Sequence, residues 1–213
     1  MKLNINRIEL MSRLGKEFPL GKGVEVGSFK GEFAKEILNV WDGDLFMVDV
    51  WRGLDSTEYM DASNHNIHTD AYLQAIKSIE GNEFRATMIR CDSDTGSTLF
   101  EDNSLDFVYI DANHAYNYVK EDIELWFPKV KKGGYLLGHD YIDMNWETDP
   151  HFADCYGKDK HIYSNSGFYY GVFGVNPAVD EFCKTNNYEL TLTNEWFGTW
   201  IIKKQITYEN RFK

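Results

Sequence analysis

Four side chains that can carry acid–base or metal chemistry lie in two short motifs, Asp111-x-x-His114 and His139-Asp140. Each motif directly follows a run of apolar residues, so each is predicted to begin where a buried strand ends. One helical segment lies between them, and strand, helix, strand in that length is a βαβ unit with parallel strands. Ligands of open α/β sheets bind at the carboxyl ends of the strands. We therefore expect Asp111, His114, His139 and Asp140 to converge on one cleft.

The elements of this unit are predicted from its apolar pattern. The two strands are placed at residues 107–110 and 135–137, and the helix between them is expected to begin near Ala115. Gly133 and Gly134 predict a turn between the helix and the second strand.

A second candidate region lies upstream, in the stretch KGVEVGSFKGEFAKEIL that begins at residue 22. It predicts a short strand, a turn with Gly27 and Gly31, and a helix whose first N–H groups are free to bind a ligand. The dinucleotide fingerprint GxGxxG is absent, because Glu25 stands where its first glycine would be. The next predicted strand ends at Asp49, which is well placed to accept hydrogen bonds from a ribose diol.

The rest of the chain predicts a third strand and a terminal hairpin. Residues 84–89 form the third strand, which ends at Cys91-Asp92-Ser93-Asp94. A helix at residues 177–184 is followed by strands at residues 188–193 and 199–203. Ending in a hairpin rather than in a further strand–helix unit departs from the pattern of dinucleotide dehydrogenases.

Three segments are expected to cover the sheet or the cleft. Residues 3–14 have apolar side chains at helical spacing and predict a helix that Gly15 and Pro19 end, within a cover of residues 1–20. Residues 51–68 and 141–170 show no steady period and are predicted to lie over the cleft as acceptor-binding segments. His65 and His68 fall in the first of these segments, where a histidine is more often solvated than bound to metal.

Size and composition narrow the class of protein. A chain of 213 residues suits a single α/β domain. The chain has 22 basic and 34 acidic residues and a formal charge of -12, which opposes nucleic acid as a partner because phosphate binding needs a concentrated positive surface. The three cysteines are far apart, which argues against a disulfide framework and a structural zinc site and favours a reducing compartment. No signal peptide and no apolar run of ~20 residues is present, so we expect a cytoplasmic protein that does not bind membranes.

The motifs resemble those of a known family. Glu25-x-Gly27-x-x-x-Gly31 followed by Asp49 resembles the first two motifs of the class I, Rossmann-like S-adenosylmethionine methyltransferases. IDANHAY and WFPKVKKGGYLLGHDY resemble a branch that includes the metal-dependent macrolide-sugar O-methyltransferases and, more distantly, the catechol O-methyltransferases; the likeness extends over residues 21–203. It implies one methyltransferase domain with a mostly parallel sheet, an antiparallel last strand and helices on both faces. The implied acceptor is a hydroxyl of a sugar or small metabolite.

The resemblance also implies roles for individual residues. Asp111 and Asp140 would hold a divalent cation, Mg²⁺ or Mn²⁺, and His114 would act as the base. The macrolide enzymes have an acidic residue immediately before the final Asp, where this chain has His139. Either His139 is a third metal ligand and favours Mn²⁺ over Mg²⁺, or it does not bind the ion. S-adenosylmethionine would contact a larger set: Glu25, Gly27, Ser28, Phe29, Gly31, Asp49, Val50, Trp51, Asp92, Ser93 and Asp111.

Each assignment has an alternative. Asp92 and Ser93 could cap a helix instead of contacting adenine, and His114 could cap the helix that follows it or pack beneath Tyr116. Asp111 and Asp140 could simply be strand-end residues bonded to backbone or to cofactor. The same fold also accommodates metal-free methylation of a nitrogen or carboxylate, and a cofactor-binding module without activity. An NAD-dependent dehydrogenase is opposed by Glu25 and by the terminal hairpin, and nothing in the sequence specifies an oligomeric state.

Overall fold

The computed structural model describes residues 1–53, 65–142 and 174–206, which contain one seven-stranded sheet. Its strands are β1 (Lys22–Val26), β2 (Asp44–Asp49), β3 (Ala86–Arg90), β4 (Leu105–Ile110), β5 (Val130–Ile142), β6 (Thr191–Leu192) and β7 (Phe197–Lys203). The spatial order is β3-β2-β1-β4-β5-β7-β6. The first five strands are parallel, and β7 is antiparallel to both of its neighbours. The predicted Rossmann-like methyltransferase sheet is confirmed.

Helices cover both faces of this sheet. They are α1 (Arg7–Glu17), α2 (Glu32–Val40), α3 (His65–Ser78), α4 (Ser93–Ser97), α5 (Tyr116–Trp126) and α6 (Val175–Asn186). The apolar stripes of α1, α2 and α3 share one core cluster, and those of α5 and α6 share a second. Every side chain of β4 is buried, as expected for a central parallel strand covered on both faces. No helix in the described ranges is long and apolar enough to span a bilayer.

The N-terminal helix is displaced from its predicted position at residues 3–14. It starts at Arg7 because Asn6 and Glu9 form a capping box, in which each side chain accepts a hydrogen bond from the other's backbone N–H. The preceding residues pair with the end of the sheet instead, where the Leu3 N–H donates to the Leu192 carbonyl at 2.8 Å. Gly15 does not end the helix, and a Cβ there would crowd the Val40 carbonyl at the end of α2.

Other element boundaries also differ from the predictions. The turn predicted at Gly133 and Gly134 is wrong, because β5 runs through both glycines with a pairing irregularity opposite Leu105 and Phe107. The strand predicted at residues 188–193 is reduced to two residues, and residues 65–68 form the first turn of α3. Most of the predicted acceptor-binding segments, residues 54–64 and 143–170, lies outside the described residues.

The register of the central strands brings their carboxyl ends level. Val26 pairs with Val48 on one side and with Ile110 on the other, and Ile110 pairs with Gly138. Two backbone hydrogen bonds extend this alignment, from Gly27 N–H to the Val48 carbonyl and from Asp111 N–H to the Val26 carbonyl, both 2.8 Å. The ends of β1, β2, β4 and β5 therefore open onto a common edge, as the sequence predicted.

Candidate functional site

A cavity of about 780 Å³ lies at this edge of the sheet. It runs from the end of β4, past the β1–α2 turn and the end of β2, to the end of β3. Most of the residues that the sequence assigned to a cofactor or to catalysis line it: Glu25, Gly27, Ser28, Phe29, Asp49, Val50, Asp92, Ser93, Asp111 and His114.

The glycine turn is shaped by the fold itself. Gly27 has φ +90°, and a Cβ on it would collide with the carbonyl of Asp111. Gly31 has φ +72°, and a side chain there would strike Ser78 on α3. Only glycine adopts these backbone angles without strain in such close contact. The two glycines are thus required for the close approach of neighbouring segments, the end of β4 at Gly27 and α3 at Gly31.

Asp49 holds the turn in place. Its two carboxylate oxygens accept hydrogen bonds from the backbone N–H groups of Phe29 and Trp51, both at 2.8 Å. Phe29 and Trp51 have φ +43° and +39°, so this carboxylate stabilises two strained residues. Burial raises the pKa of Asp49, and the hydrogen bonds from Trp51 and Phe29 offset part of that rise. Each oxygen keeps a lone pair for a ligand hydroxyl.

Trp51 supports the glycine turn. Its indole N–H donates to the Phe29 carbonyl at 2.6 Å, and its ring is fully buried against Tyr72. His68 also packs beside the turn, with its ring 6.1 Å from that of Phe29. His68 therefore lies beside the glycine turn, and not beside Asp111 and Asp140 at the ends of β4 and β5.

Glu25 is a buried acid in the floor of the cavity. It is 2% exposed, and its Oε2 has no hydrogen-bond partner among the described residues. Burial is the main reason that the pKa of Glu25 rises to about 8, with Asp111 and Asp49 adding to the rise. A buried carboxylate oxygen without a donor is costly, so this position suits a cationic or N–H donor group of a ligand.

Asp111, His114, His139 and Asp140 form one compact group, which we term the strand-end cluster. His114 Nε2 lies 2.6 Å from Asp140 Oδ2 and 3.6 Å from Asp111 Oδ1. His139 Nδ1 lies 3.1 Å from Asp140 Oδ1 and 3.9 Å from Asp111 Oδ2. One nitrogen of each imidazole thus lies near both carboxylates, and the predicted convergence is observed.

The two imidazoles control the ionisation of Asp140. Burial by itself would raise the pKa of Asp140, but the charges and hydrogen bonds of His114 and His139 hold it well below its usual range. Burial lowers the pKa of His139, and the opposing effect of Asp140 and Asp111 leaves it raised. Asp140 also has φ +60°, an uncommon backbone angle for a residue with a Cβ. Such strain is typical of functional positions.

The alternative role of His114 as a helix cap is not observed. Ala115 is the N-cap residue of α5, and no described side chain forms a cap hydrogen bond with this helix; the Ala115 N–H donates to Asn113 Oδ1 at 2.9 Å. The His114 ring is directed to the carboxylates instead.

Arg7 joins the site from the N-terminal helix, which the sequence predicted only as a cover. Its guanidinium lies 3.4 Å from His139 Nε2 and stacks on Phe33 with its Cζ 4.5 Å from the ring centre. The Arg7 N–H donates to Glu195 at 2.8 Å, which ties this helix to the β6–β7 hairpin. No local motif marks Arg7, because its position depends on that long-range docking.

The far end of the cavity contains a second buried acid, Asp122 on α5. Ser93 donates a hydrogen bond to Asp122 and accepts one from the Trp126 indole N–H at 2.8 Å. Burial raises the pKa of Asp122 to about 7, although the hydrogen bond from Ser93 lowers it. Asp92 is exposed and its side chain does not cap α4. Asp122 is not among the residues predicted from the sequence, although an acid between Val119 and Ile123 on the buried stripe of α5 is a usable signal.

The strand-end cluster has a donor set that fits a divalent cation. Asp111, His139 and Asp140 each offer one ligand atom, and these atoms lie within 4.8 Å of one another. Two carboxylates and an imidazole suit Mn²⁺ better than Mg²⁺. Arg7 makes His139 a poor metal ligand. A histidine that binds metal through Nδ1 is neutral and carries its proton on Nε2, and the Arg7 guanidinium beside Nε2 cannot accept that proton. The two carboxylates therefore fit the ion best.

Glu25→Gln tests the buried acid through the pH dependence of stability. The folded-state pKa is raised, so between pH 5 and 8 the folded protein binds more protons at Glu25 than the unfolded chain does, and the free energy of unfolding falls as pH rises. Glutamine does not titrate, so this fall in the free energy of unfolding is absent from the variant. Its stability relative to the wild type should increase by several kcal/mol from pH 5 to pH 9, since each pKa unit corresponds to about 1.4 kcal/mol. Urea unfolding without ligand measures this difference, and a difference that stays constant with pH would contradict the assignment.

Comparison with known proteins agrees with this geometry. Residues 24–141 match the model of a family described as a methyltransferase domain. An uncharacterised protein of Acanthamoeba polyphaga mimivirus is 41% identical over 44 residues, a segment that spans 21% of this chain and 20% of that protein.

Solved structures show the same fold at low sequence identity. An O-methyltransferase family protein from Burkholderia thailandensis superposes with a TM-score of 0.61 and 15% identity, over 94% of this chain and 56% of that one. The N-methyltransferase NodS from Bradyrhizobium japonicum gives a TM-score of 0.57 and 13% identity, over 94% of this chain and 95% of that one. These likenesses concern the fold alone, and the two proteins are named for different acceptor atoms. The family match covers more than half of the 213 residues, and the chain therefore belongs to this family of S-adenosylmethionine-dependent methyltransferases.

Proposed function

We propose that this protein transfers the methyl group of S-adenosylmethionine to a hydroxyl oxygen of a sugar or small metabolite, with His114 as the base. The observation that carries the proposal is the 2.6 Å contact between His114 Nε2 and Asp140 Oδ2 beside the cofactor cavity. An alcohol is a poor nucleophile near neutral pH, so its methylation needs a group that removes the proton. A histidine oriented by a carboxylate is suited to this role.

The cavity can orient the cofactor by charge. The Asp49 carboxylate would accept hydrogen bonds from the ribose hydroxyls. Glu25 would receive the ammonium group of the methionine moiety, and the guanidinium of Arg7 would pair with its carboxylate. The sulfonium methyl would then face His114, because Arg7 and Asp111 lie at that end of the cavity. The protein contributes mainly by placing oxygen, methyl and sulfur in line, a contribution that can reach ~7 kcal/mol.

His114 and Asp140 would work as a pair. Asp140 Oδ2, 2.6 Å from His114 Nε2, would orient the imidazole, which would take the proton from the acceptor hydroxyl. The imidazolium that forms is stabilised by Asp140 and by the nearby charge of Asp111. No covalent enzyme intermediate is needed, because the sulfonium already carries a good leaving group.

Asp111 and Asp140 are the residues that would hold a divalent cation in this proposal, with His139 as a possible third ligand only if Arg7 moves. A bound ion there supplies a positive charge that lowers the pKa of the acceptor hydroxyl and orients its oxygen. Metal-free methylation, including that of a nitrogen, is the second candidate. It is favoured by the position of both imidazoles between the two carboxylates, where they balance the negative charge without an ion.

Asp49→Asn tests the ribose assignment. The substitution keeps the shape of the side chain and removes the charge, so the affinity for S-adenosylhomocysteine should fall by about 1.5 to 3 kcal/mol. Calorimetry measures this affinity, and Asp44→Asn, at the exposed opposite end of β2, is the matched control. Unchanged affinity in a folded Asp49→Asn protein would remove the ribose role.

His114→Ala tests the base. Turnover should fall by about 10²- to 10⁴-fold, and the acidic limb of the pH–rate profile should flatten, because the titrating base is gone. Affinity for S-adenosylhomocysteine and the melting temperature should stay near those of the wild type. Turnover close to that of the wild type would contradict the role of His114, whereas a large fall in melting temperature would indicate a structural role.

Asp111→Asn and Asp140→Asn test the metal assignment. In calorimetric titrations without acceptor, each should weaken Mn²⁺ binding by about 100-fold or more, because loss of a direct ligand exceeds the 10- to 100-fold cost of losing a supporting group. Asp102→Asn is the control, since Asp102 pairs with Lys129 at the opposite end of β4. If His139→Ala loses little Mn²⁺ affinity, the result would agree with the argument that Arg7 makes His139 a poor ligand. Wild-type protein that binds no Mn²⁺ and turns over fully after chelation would support the metal-free candidate.

A further inference from the structure

The start of α6 is joined to the start of α5 beside His114. The Gly174 N–H donates to the His114 carbonyl at 2.6 Å. Gly174 precedes the first turn of α6, so its N–H has no acceptor within that helix. The two backbones are in close contact there, because a Cβ on Gly174 would collide with the backbone nitrogen of Tyr116. This contact fixes the backbone of His114 relative to α6.

The same helix is joined to the end of β5, just beyond Asp140. The buried side chain of Asn176 accepts a hydrogen bond from the Ile142 N–H at 3.1 Å and donates one to the Ile142 carbonyl at 2.8 Å. One turn further along α6, Asp180 accepts a hydrogen bond from the Tyr141 hydroxyl at 2.9 Å. α6 therefore holds the end of β5 at two consecutive residues.

These hydrogen bonds form a closed circuit with the strand-end cluster. His114 and Asp140 belong to different elements, the β4–α5 connection and β5, and their side chains meet at 2.6 Å. Their backbones are joined a second time through α6, at Gly174 on one side and at Asn176 on the other. The apolar stripe of α6 is packed in the second core cluster, so the helix itself has a fixed position. The backbone path through α6 therefore determines how closely the two side chains approach.

We propose that Gly174 and Asn176 are positioning residues that place His114 in contact with Asp140. Neither of them is among the residues that line the cavity, so they act through His114 and Asp140 and not on a ligand. The importance of this arrangement for methyl transfer rests on the proposed function, in which His114 is the base. A misplacement of a catalytic group by about 1 Å can lower a rate by about 10²-fold.

Hydrogen exchange in the wild-type protein tests the first contact without any substitution. The N–H groups at the start of a helix have no intrahelical acceptor and exchange readily unless another group binds them. We expect the Gly174 N–H to exchange roughly tenfold or more slowly than in an unstructured peptide, because the His114 carbonyl accepts it. NMR measures this rate for the individual residue. An unprotected Gly174 N–H would overturn the proposal.

Gly174→Ala tests whether the contact positions the imidazole. The added Cβ must push the start of α6 away from the start of α5, which should move His114 away from Asp140. In ¹H–¹³C NMR spectra the ring signals of His114 should then shift toward their positions in the Asp140→Asn protein, which lacks the carboxylate. Asn176→Ala should shift them in the same direction, because it releases Ile142.

Val179→Ala is the matched control. Val179 is fully buried on the same helix, so its truncation should lower the melting temperature and leave the His114 ring signals in place. An equal shift in Val179→Ala would overturn the proposal, since any destabilisation of α6 would then have the same effect. Wild-type His114 signals in a folded Gly174→Ala protein would also overturn it, because the contact would then only stabilise the fold.

These overturning results leave the proposed function intact, because none of the measurements involves methyl transfer. Wild-type turnover in His114→Ala would instead contradict the base itself, and the catalytic importance of Gly174 and Asn176 with it.

Discussion

The close approach of the β1 and β4 backbones is the constraint on which the site depends. Gly27 lies against the carbonyl of Asp111, and the Asp111 N–H donates to the Val26 carbonyl at 2.8 Å. This contact sets the glycine turn, where the proposed cofactor residues lie, directly beside the first residue of the strand-end cluster. Any side chain at Gly27 would separate the turn from the cluster. The glycine turn and the strand-end cluster are therefore one structural unit rather than two motifs that happen to be neighbours.

The charge of the cavity follows from this arrangement. Glu25, Asp49, Asp111 and Asp140 all lie within or beside it, and Asp122 adds a fifth acid at the far end. Arg7 and the imidazoles of His114 and His139 oppose them near the ends of β4 and β5, and Lys30 is a further cation in the lining. The excess of acidic groups suits a ligand with an ammonium group, a sulfonium centre and several N–H and O–H donors. S-adenosylmethionine has these features, which links the family assignment to the electrostatics of the site.

The sequence predicted the sheet and the convergence of the strand-end cluster because both depend on local patterns. Apolar runs ending in polar residues mark the carboxyl ends of parallel strands, and the βαβ connection places Asp111 and His139 at one edge. It failed where long-range contacts decide the outcome. Arg7 reaches the site because residues 1–6 pair with the β6–β7 hairpin, and no local signal encodes that docking. Gly133 and Gly134 look like a turn in sequence, but backbone hydrogen bonds with Lys204, just beyond β7, keep them in the strand.

The proposed function requires the cavity to orient S-adenosylmethionine with its methyl group toward His114. A crystal structure of the protein with S-adenosylhomocysteine would show this orientation. The ribose hydroxyls should lie on the Asp49 carboxylate, the sulfur should face His114 and the adenine ring should lie at the β3 end of the cavity. A ligand bound outside this cavity, or bound in the reverse direction with adenine next to the strand-end cluster, would contradict it.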